Sequence, residues 1–327
     1  MVKRRDRVVV TRIPPGDAFA RLGETFELRV WEENRAMPAE RLEREVADAD
    51  GLFCMLTDRI DAALLAAAPR LRVVSVMAVG VDNIDLAACS ARGIPVGHTP
   101  DVLTETTADT AFALLMAAAR RVVEGVDYVR EGRWGPWDPA LLLGEDIHGS
   151  TLGIIGLGRI GRAVARRARG FGMRILYHNR SRAPAAEEEL GAEYRSFHGL
   201  LAEADHVVLL TPLTPETYHL INREALGRMK PTATLVNAAR GGVVDPEALV
   251  HALREGIIGA AALDVTEPEP ISPDSPLLKL SNCVVIPHLG SASRRTRKAM
   301  AELAVENLSA GLNGSPMPAV ANPEATA

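Results

Sequence analysis

Four short segments hold residue types able to do chemistry. N-A-A-R-G-G-V-V-D (237–245) carries Arg240, whose guanidinium is a rigid fork of N–H donors suited to gripping a carboxylate and polarising a carbonyl. L-D-V-T-E-P-E-P (263–270) carries Asp264, Glu267 and Glu269, and V-V-I-P-H-L-G-S (284–291) carries His288. An imidazolium is a competent acid near neutral pH. The fourth segment, G-L-G-R-I-G-R-A (156–163), follows the apolar run T-L-G-I-I. Gly156 there permits a tight turn, Gly158 lets backbone approach a pyrophosphate, and Gly161 allows close helix–sheet packing. Taken singly, each segment also reads as an ordinary turn or loop. Together with a strand before and a helix after, the glycines predict a dinucleotide cradle, with Leu157, Arg159 and Ile160 lining it.

The next strand signal ends R-I-L-Y-H-N-R-S-R (174–182). Where an NAD-binding unit carries Asp or Glu for the ribose 2′-OH, this chain has Asn179, followed by Arg180, Ser181 and Arg182. A carboxylate would repel a 2′-phosphate, whereas an amide, a hydroxyl and two guanidiniums attract it. NADP(H) is therefore the expected preferred cofactor, with NAD(H) the alternative. On the helix after the glycines, Ile160, Val164 and Ala168 share one side, and Arg159, Arg162, Arg166 and Arg169 the other, read as a solvated face.

These residues need elements to hold them. Strand signals at 7–11, 25–30, 51–56, 71–77 and 94–97 alternate with helical patterns at 16–23, 38–48 and 61–68, which predicts a parallel sheet with helices on its faces. The first strand is followed by I-P-P-G, so that unit is not expected to hold a dinucleotide. Residues 104–121, rich in Ala and Leu, read as a buried connecting helix. A second unit shows six strand signals, at 151–155, 173–178, 206–211, 233–237, 259–264 and 283–287, as a doubly wound nucleotide-binding sheet requires. Residues 264–282 read as a Pro-rich loop. A last helix near 292–310 is expected to return to the first unit, and the tail beyond it to be loose. The fold class is α/β.

The composition fits this frame. The chain has 327 residues, 47% apolar and 24% charged, enough for two domains with sizeable cores. A net charge of −5 argues against a nucleic-acid partner held by bulk positive charge. Three widely spaced cysteines make no metal-binding pattern, so no metal is expected, and Cys54 and Cys283 read as buried thiols. The basic start lacks an apolar run, and no stretch approaches the ~20 apolar residues of a membrane span. A cytoplasmic protein without a membrane partner is expected.

Nearly the whole chain resembles the D-isomer-specific 2-hydroxyacid dehydrogenases, closest to their glyoxylate/hydroxypyruvate reductase branch. The resemblance is carried by V-M-A-V-G-V-D-N-I-D (76–85), P-D-V-L-T-E-T-T-A-D (100–109), the glycine loop, and the three segments bearing Arg240, Glu269 and His288. It implies two Rossmann-like domains with doubly wound parallel sheets. The cofactor domain (102–289) is inserted in a flavodoxin-like substrate domain (1–101 plus 290–327). It further implies that Arg240 grips the substrate's carboxylate and keto oxygen, and that Glu269 pairs with His288, the proton donor. Backbone N–H groups of Val79 and Gly80 would bind the carboxylate, and Leu56 would touch the R-group. Thr107, Thr211, Pro212, Ala238, Asp264 and Gly290 would lie beside the cofactor, together with Arg240 and His288. Trp137 resembles a tryptophan that the partner subunit projects into the site; ordinary interface or core packing is its other reading. A homodimer through residues 104–145 fits both.

The implied activity is NADPH-preferring reduction of small 2-oxo acids, glyoxylate to glycolate and hydroxypyruvate to D-glycerate. The alternatives are a sibling NAD-dependent dehydrogenase acting on D-lactate, phosphoglycerate or phosphite, and a non-catalytic NAD(P)-sensing regulator. A phosphorylated substrate would want extra basic residues around 56–59 or 79–82, where Arg59 alone stands out. The complete set of Arg240, Glu269 and His288 weighs against the sensor.

Overall fold

Strand and helix alternate through the chain. The computed structural model describes residues 4–326, which divide into two units. One is built from the chain up to Leu103 together with the chain from Ala292 onward; the other is Thr104–Ser291.

The first unit runs β1 (Arg7–Val10), α1 (Ala18–Thr25), β2 (Glu27–Val30), α2 (Ala39–Val46), β3 (Gly51–Cys54), α3 (Ala62–Ala67), β4 (Val73–Val76), α4 (Leu86–Ala91) and β5 (Val96–Gly97). The strands are parallel in the order β2-β1-β3-β4-β5, the flavodoxin-like winding. G-L-F-C and V-V-S-V of β3 and β4 are buried throughout, as strands covered on both faces must be. Asp61 and Asp85 cap α3 and α4, accepting the N–H groups of Leu64 (3.0 Å) and Ala88 (2.9 Å). Helix α4 is not among the sequence expectations; its L-A-A-C-S-A buries only Cys89 and carries no apolar stripe.

The second unit runs α5 (Thr104–Ala119), α6 (Val122–Arg130), β6 (Thr151–Ile155), α7 (Arg159–Gly170), β7 (Arg174–His178), α8 (Pro184–Leu190), β8 (Glu193–Tyr194), α9 (Phe197–Glu203), β9 (His206–Leu209), α10 (Arg223–Arg228), β10 (Thr234–Asn237), α11 (Pro246–Arg254), β11 (Ala260–Leu263) and β12 (Cys283–Val285). Its parallel strands are ordered β12-β11-β10-β9-β6-β7-β8. The order reverses between β6 and β9, the switch point at which doubly wound sheets take ligands. Alternate strand residues serve opposite faces. Leu152, Ile154, Val208 and Val236 pack with α5 and α7. Val207, Leu209, Leu235 and Leu263 pack with α9, α10 and α11. The sequence predicts six strands and seven are present, because β8 has only two residues and gives no apolar signal. Cys54 is buried, but Cys283, on edge strand β12, is only partly so, although burial pushes its thiol up to about 12.

The last helix, α12 (Arg294–Asn313), lies on β3, β4 and β5 of the first unit. Ser75 Oγ donates to Ala304 O at 2.7 Å. The tail after it is not loose. Val320 makes an antiparallel bridge with Gly97, and Ala321 N–H donates to Val96 O at 2.8 Å. Asn322, 1% exposed, accepts the Val96 N–H (2.7 Å) and donates to Ile94 O (3.0 Å). A Pro-rich tail has no periodicity to announce such docking; an edge strand's unpaired backbone groups supply the reason for it. Among the described residues no helix is long and apolar enough to cross a membrane, and no group of three or more His, Cys, Asp or Glu could hold a metal.

Candidate active site

The glycine loop joins β6 to α7 at the switch point. Gly156 has φ +103°, and a Cβ on it would stand 2.7 Å from the Leu210 carbonyl at the end of β9. A Cβ on Gly161 would stand 2.3 Å from Gly156 O. Only glycine fits either place. At Gly158, which precedes α7, a Cβ would meet open space among the described residues. Among the described residues no side chain caps α7, and its first turn holds no acidic residue. An open helix N-terminus of this kind suits a pyrophosphate. The arginine face of α7 is not simply solvated. Arg166 donates to Glu105 (2.7 Å), Arg169 to Glu189 O (3.1 Å), and the neighbouring Arg167 to Glu105 (2.9 Å) and Asp109 (2.5 Å). The carboxylates come from α5, more than fifty residues away in sequence.

Asn179, just past β7, accepts the Leu157 N–H through Oδ1 at 2.7 Å and so fastens the glycine loop. Arg180, Ser181 and Arg182 are exposed. Arg182 forms a fork with Glu187, Nη2 to Oε2 at 2.6 Å and Nε to Oε1 at 3.1 Å. Tyr177 also donates its hydroxyl to Glu187 (2.5 Å) and accepts the Ala183 N–H (2.8 Å). Arg182, then Tyr177, hold the Glu187 carboxyl below its ordinary value. One of the two guanidiniums is thus engaged by an internal carboxylate.

The remaining groups stand past the carboxyl ends of β10, β11 and β12. Asn237 donates to Arg240 O (2.9 Å) and accepts the Ala239 N–H (3.1 Å), shaping the turn that carries Arg240. The Arg240 Nη1 donates to Ala239 O at 2.9 Å. His288 Nδ1 lies 2.6 Å from Glu269 Oε1. A carboxylate accepts, so Nδ1 carries the hydrogen of this contact. His288 itself is left-handed, φ 52°, and its N–H donates to Asp264 O at 2.9 Å. The Asp264 side chain clasps the same turn, accepting the N–H groups of Leu289 (2.5 Å) and Gly290 (2.9 Å). Burial raises the Asp264 carboxyl above its ordinary value, while these N–H groups and His288 favour its charge. On α5, Thr107 is buried, and Thr110 Oγ1 donates to Gly290 O at 3.2 Å. Pro212 O accepts from Thr217 Oγ1 at 2.7 Å, in the loop that follows β9 and Thr211. Ala238 is half-buried beside Arg240.

In the first unit, Leu56 follows β3, and Val79 and Gly80 follow β4, all half-buried. Val79 O lies 3.1 Å from His98 Nδ1. Trp137 is 84% exposed, so core packing within its own chain is not its role. No sequence pattern singles out His219, which reaches Glu267 across 48 positions. Its signal is a contact made only by the fold.

Residues 112–290 match the model of the D-isomer specific 2-hydroxyacid dehydrogenase NAD binding domain. The chain is 54% identical over 321 residues to a glyoxylate reductase of Korarchaeum cryptofilum, covering 98% of this chain and 97% of that one. A crystal structure of a Thermus thermophilus protein superposes with a TM-score of 0.91 at 52% identity, covering 96% of this chain and 99% of the other. An NADPH-dependent glyoxylate/hydroxypyruvate reductase from Sinorhizobium meliloti, solved with NADP and malonate, gives a TM-score of 0.84 at 35% identity over 98% of both chains. With its two parallel sheets, glycine loop and histidine–carboxylate pair, this chain belongs to the D-isomer-specific 2-hydroxyacid dehydrogenase family of NAD(P)H-dependent oxidoreductases.

Proposed function

We propose that this protein reduces glyoxylate to glycolate and hydroxypyruvate to D-glycerate, with NADPH preferred over NADH. The observation that carries the reading is the 2.6 Å His288–Glu269 pair at the same sheet edge as the Arg240 turn and the open glycine cradle. The names of the similar reductases point to the same substrates. When bound, the nicotinamide would supply the hydride that reduces C2. Gly156, Leu157, Gly158, Arg159, Ile160 and Gly161 would hold the pyrophosphate, and Asn179, Arg180, Ser181 and Arg182 the ribose side. Thr107, Thr211, Pro212, Ala238 and Gly290 would line the rest.

Arg240 orients the 2-oxo acid by its carboxylate and polarises the keto group. His288 delivers the Nε2 proton to the oxygen as C2 is reduced, and leaves the step neutral. Glu269 holds the ring by Nδ1 and stabilises its charged form before transfer. Asp264 fixes the turn from which the ring projects. In the first unit, the Val79 and Gly80 N–H groups and Leu56 are the proposed substrate contacts. A small R-group matches substrates that need a charged anchor and little apolar volume.

Initial rates with NADPH and NADH, each against glyoxylate, hydroxypyruvate, pyruvate and phosphorylated 2-oxo acids, test the proposal. Fast turnover of the first two with NADPH is expected. Equal or better use of NADH overturns the cofactor preference, and turnover only of phosphorylated acids overturns the substrates. His288→Ala should lower kcat at least about a hundredfold, the usual scale of a lost general acid, with cofactor affinity kept; near-full turnover would remove the histidine from the mechanism.

A further inference from the structure

Two histidine–carboxylate pairs converge on the four residues Glu267-Pro268-Glu269-Pro270. Glu269 holds His288; Glu267 Oε2 lies 2.6 Å from His219 Nε2. The proton and hydride chemistry uses only the first pair. His219 comes from the loop between Thr211 and Ile221, which follows β9, and sits in the left-handed region at φ 48°. A non-glycine residue held there signals a conformation imposed by its surroundings.

Those surroundings tie the loop to the segment that follows Arg240. His219 N–H donates to Gly242 O (2.8 Å), Ile221 N–H to Val243 O (3.0 Å), and Asp245 N–H to Ile221 O (3.0 Å). The Tyr218 ring stacks on His219 at 4.0 Å, 16° from parallel, and also covers Gly242. The loop is stiffened from within, because Thr217 Oγ1 donates to Pro212 O and accepts the Thr214 N–H at 2.8 Å. On its other side the Arg240 segment is pressed against the E-P-E-P turn: a Cβ on Gly241 would stand 1.9 Å from Thr266 O. The 211–221 loop therefore holds Arg240's segment by main-chain bonds and Glu269's turn by the His219–Glu267 side-chain contact, with Tyr218 also beside Glu267.

We propose that His219 is a positioning residue, which through Glu267 fixes the E-P-E-P turn so that Glu269, and with it His288, keeps its register with Arg240. The proposal rests on the reading of Arg240, Glu269 and His288 as the reducing site. The pair is partly solvated, with side-chain exposures of 30% and 35%. Such pairs add little to global stability, while a displacement of about 1 Å in a reacting group can cost about a hundredfold in rate. The effect belongs in kinetics, not in melting.

The test compares His219→Ala, Glu267→Gln and His219→Gln in the full-length protein. Gln keeps an N–H donor for Glu267. His219→Ala should lower kcat about tenfold or more and raise KM for the 2-oxo acid, with NADPH affinity and Tm near the wild type. His219→Gln should recover most of the loss. His219→Ala with Glu267→Gln should be no worse than the worse single variant, as expected for partners in one contact. Oxalate binding to the cofactor-saturated protein reads Arg240 placement without turnover and should weaken in His219→Ala. Unchanged kcat, KM and oxalate affinity in His219→Ala would overturn the proposal, as would a loss shared by NADPH affinity or matched by a fall in Tm. His288→Ala separates the two readings. If it stays active, the site assignment fails; if it is inactive while His219→Ala is normal, only the positioning role fails.

Discussion

At the scale of single residues, the turn after β7 shows how internal contacts can commit the side chains of a site. Asn179 is committed to the Leu157 N–H, and Arg182 to Glu187. On the proposed NADPH reading, Arg180 would then be the guanidinium that meets a 2′-phosphate first, and Arg182 would answer only by leaving a carboxylate. Glu187→Gln removes that competing charge and its repulsion of the phosphate. NADPH should bind about twofold to fivefold more tightly, the scale of one exposed ion pair, with NADH affinity unchanged; fluorescence titration of both cofactors reads this directly. Weaker NADPH binding would mean that Glu187 instead holds Arg182 in its binding pose. From the sequence, Arg182 and Asn179 are legible as polar residues at the right strand end. Their partners are not, because neither contact lies within a local pattern.

Elements in this chain are joined by charge as well as by apolar packing. The short strand β8 and the start of β7 share a cluster in which Arg174 forms a fork with Glu193 (2.8 and 2.9 Å). Arg195 bridges Glu193 (2.7 Å) and Glu203 (2.9 Å). The Arg174 bonds first, then those from Arg195, bring the Glu193 carboxyl down from 4.5 to about 2. A depressed carboxyl contributes stability that is fully present above its unfolded value and disappears as pH falls through its folded value. The Tm difference between wild type and Glu193→Gln should therefore be constant above about pH 5 and shrink from about pH 4.5 toward 2; a difference that persists at the acid end would assign the effect to packing. This cluster also shows where sequence reading stops. Buried strands such as β3, β6 and β9 announce themselves as apolar runs, whereas β8 consists of Glu193 and Tyr194 and exists only through what pairs with it. The docked tail is the same case: Asn322 looks like any polar residue until Val96 and Ile94 are beside it.

At the scale of the molecule, the two units wind their sheets differently, and the glycine loop with the Arg240, Glu269 and His288 turns belongs to one of them. That division follows from local signals: I-P-P-G after β1 offers no cradle, while G-L-G-R-I-G after β6 does. The assembly is argued from surface chemistry instead. Val122, Val126 and Val129 of α6 are exposed, as are Trp134, Trp137 and Leu143 beyond it. Large apolar side chains gathered on one helix and the segment after it are uncommon on a monomer's surface and mark a contact site. A self-complementary patch closes most simply as a twofold dimer, and a homodimer through this region is the assembly we propose. Val126 and Val129, one turn apart on α6, are the residues to change. Val126→Asp with Val129→Asp would place two carboxylates in the buried centre of such an interface, where unpaired charge is costly. Light scattering should give a dimer for the wild type and a monomer for the double variant, with the NADPH affinity of the glycine cradle retained. If Trp137 reaches the partner's site, the monomer should also show a raised KM for the 2-oxo acid. A wild-type monomer, or a double variant that remains dimeric, would move the interface elsewhere and leave Trp137 without a partner to serve.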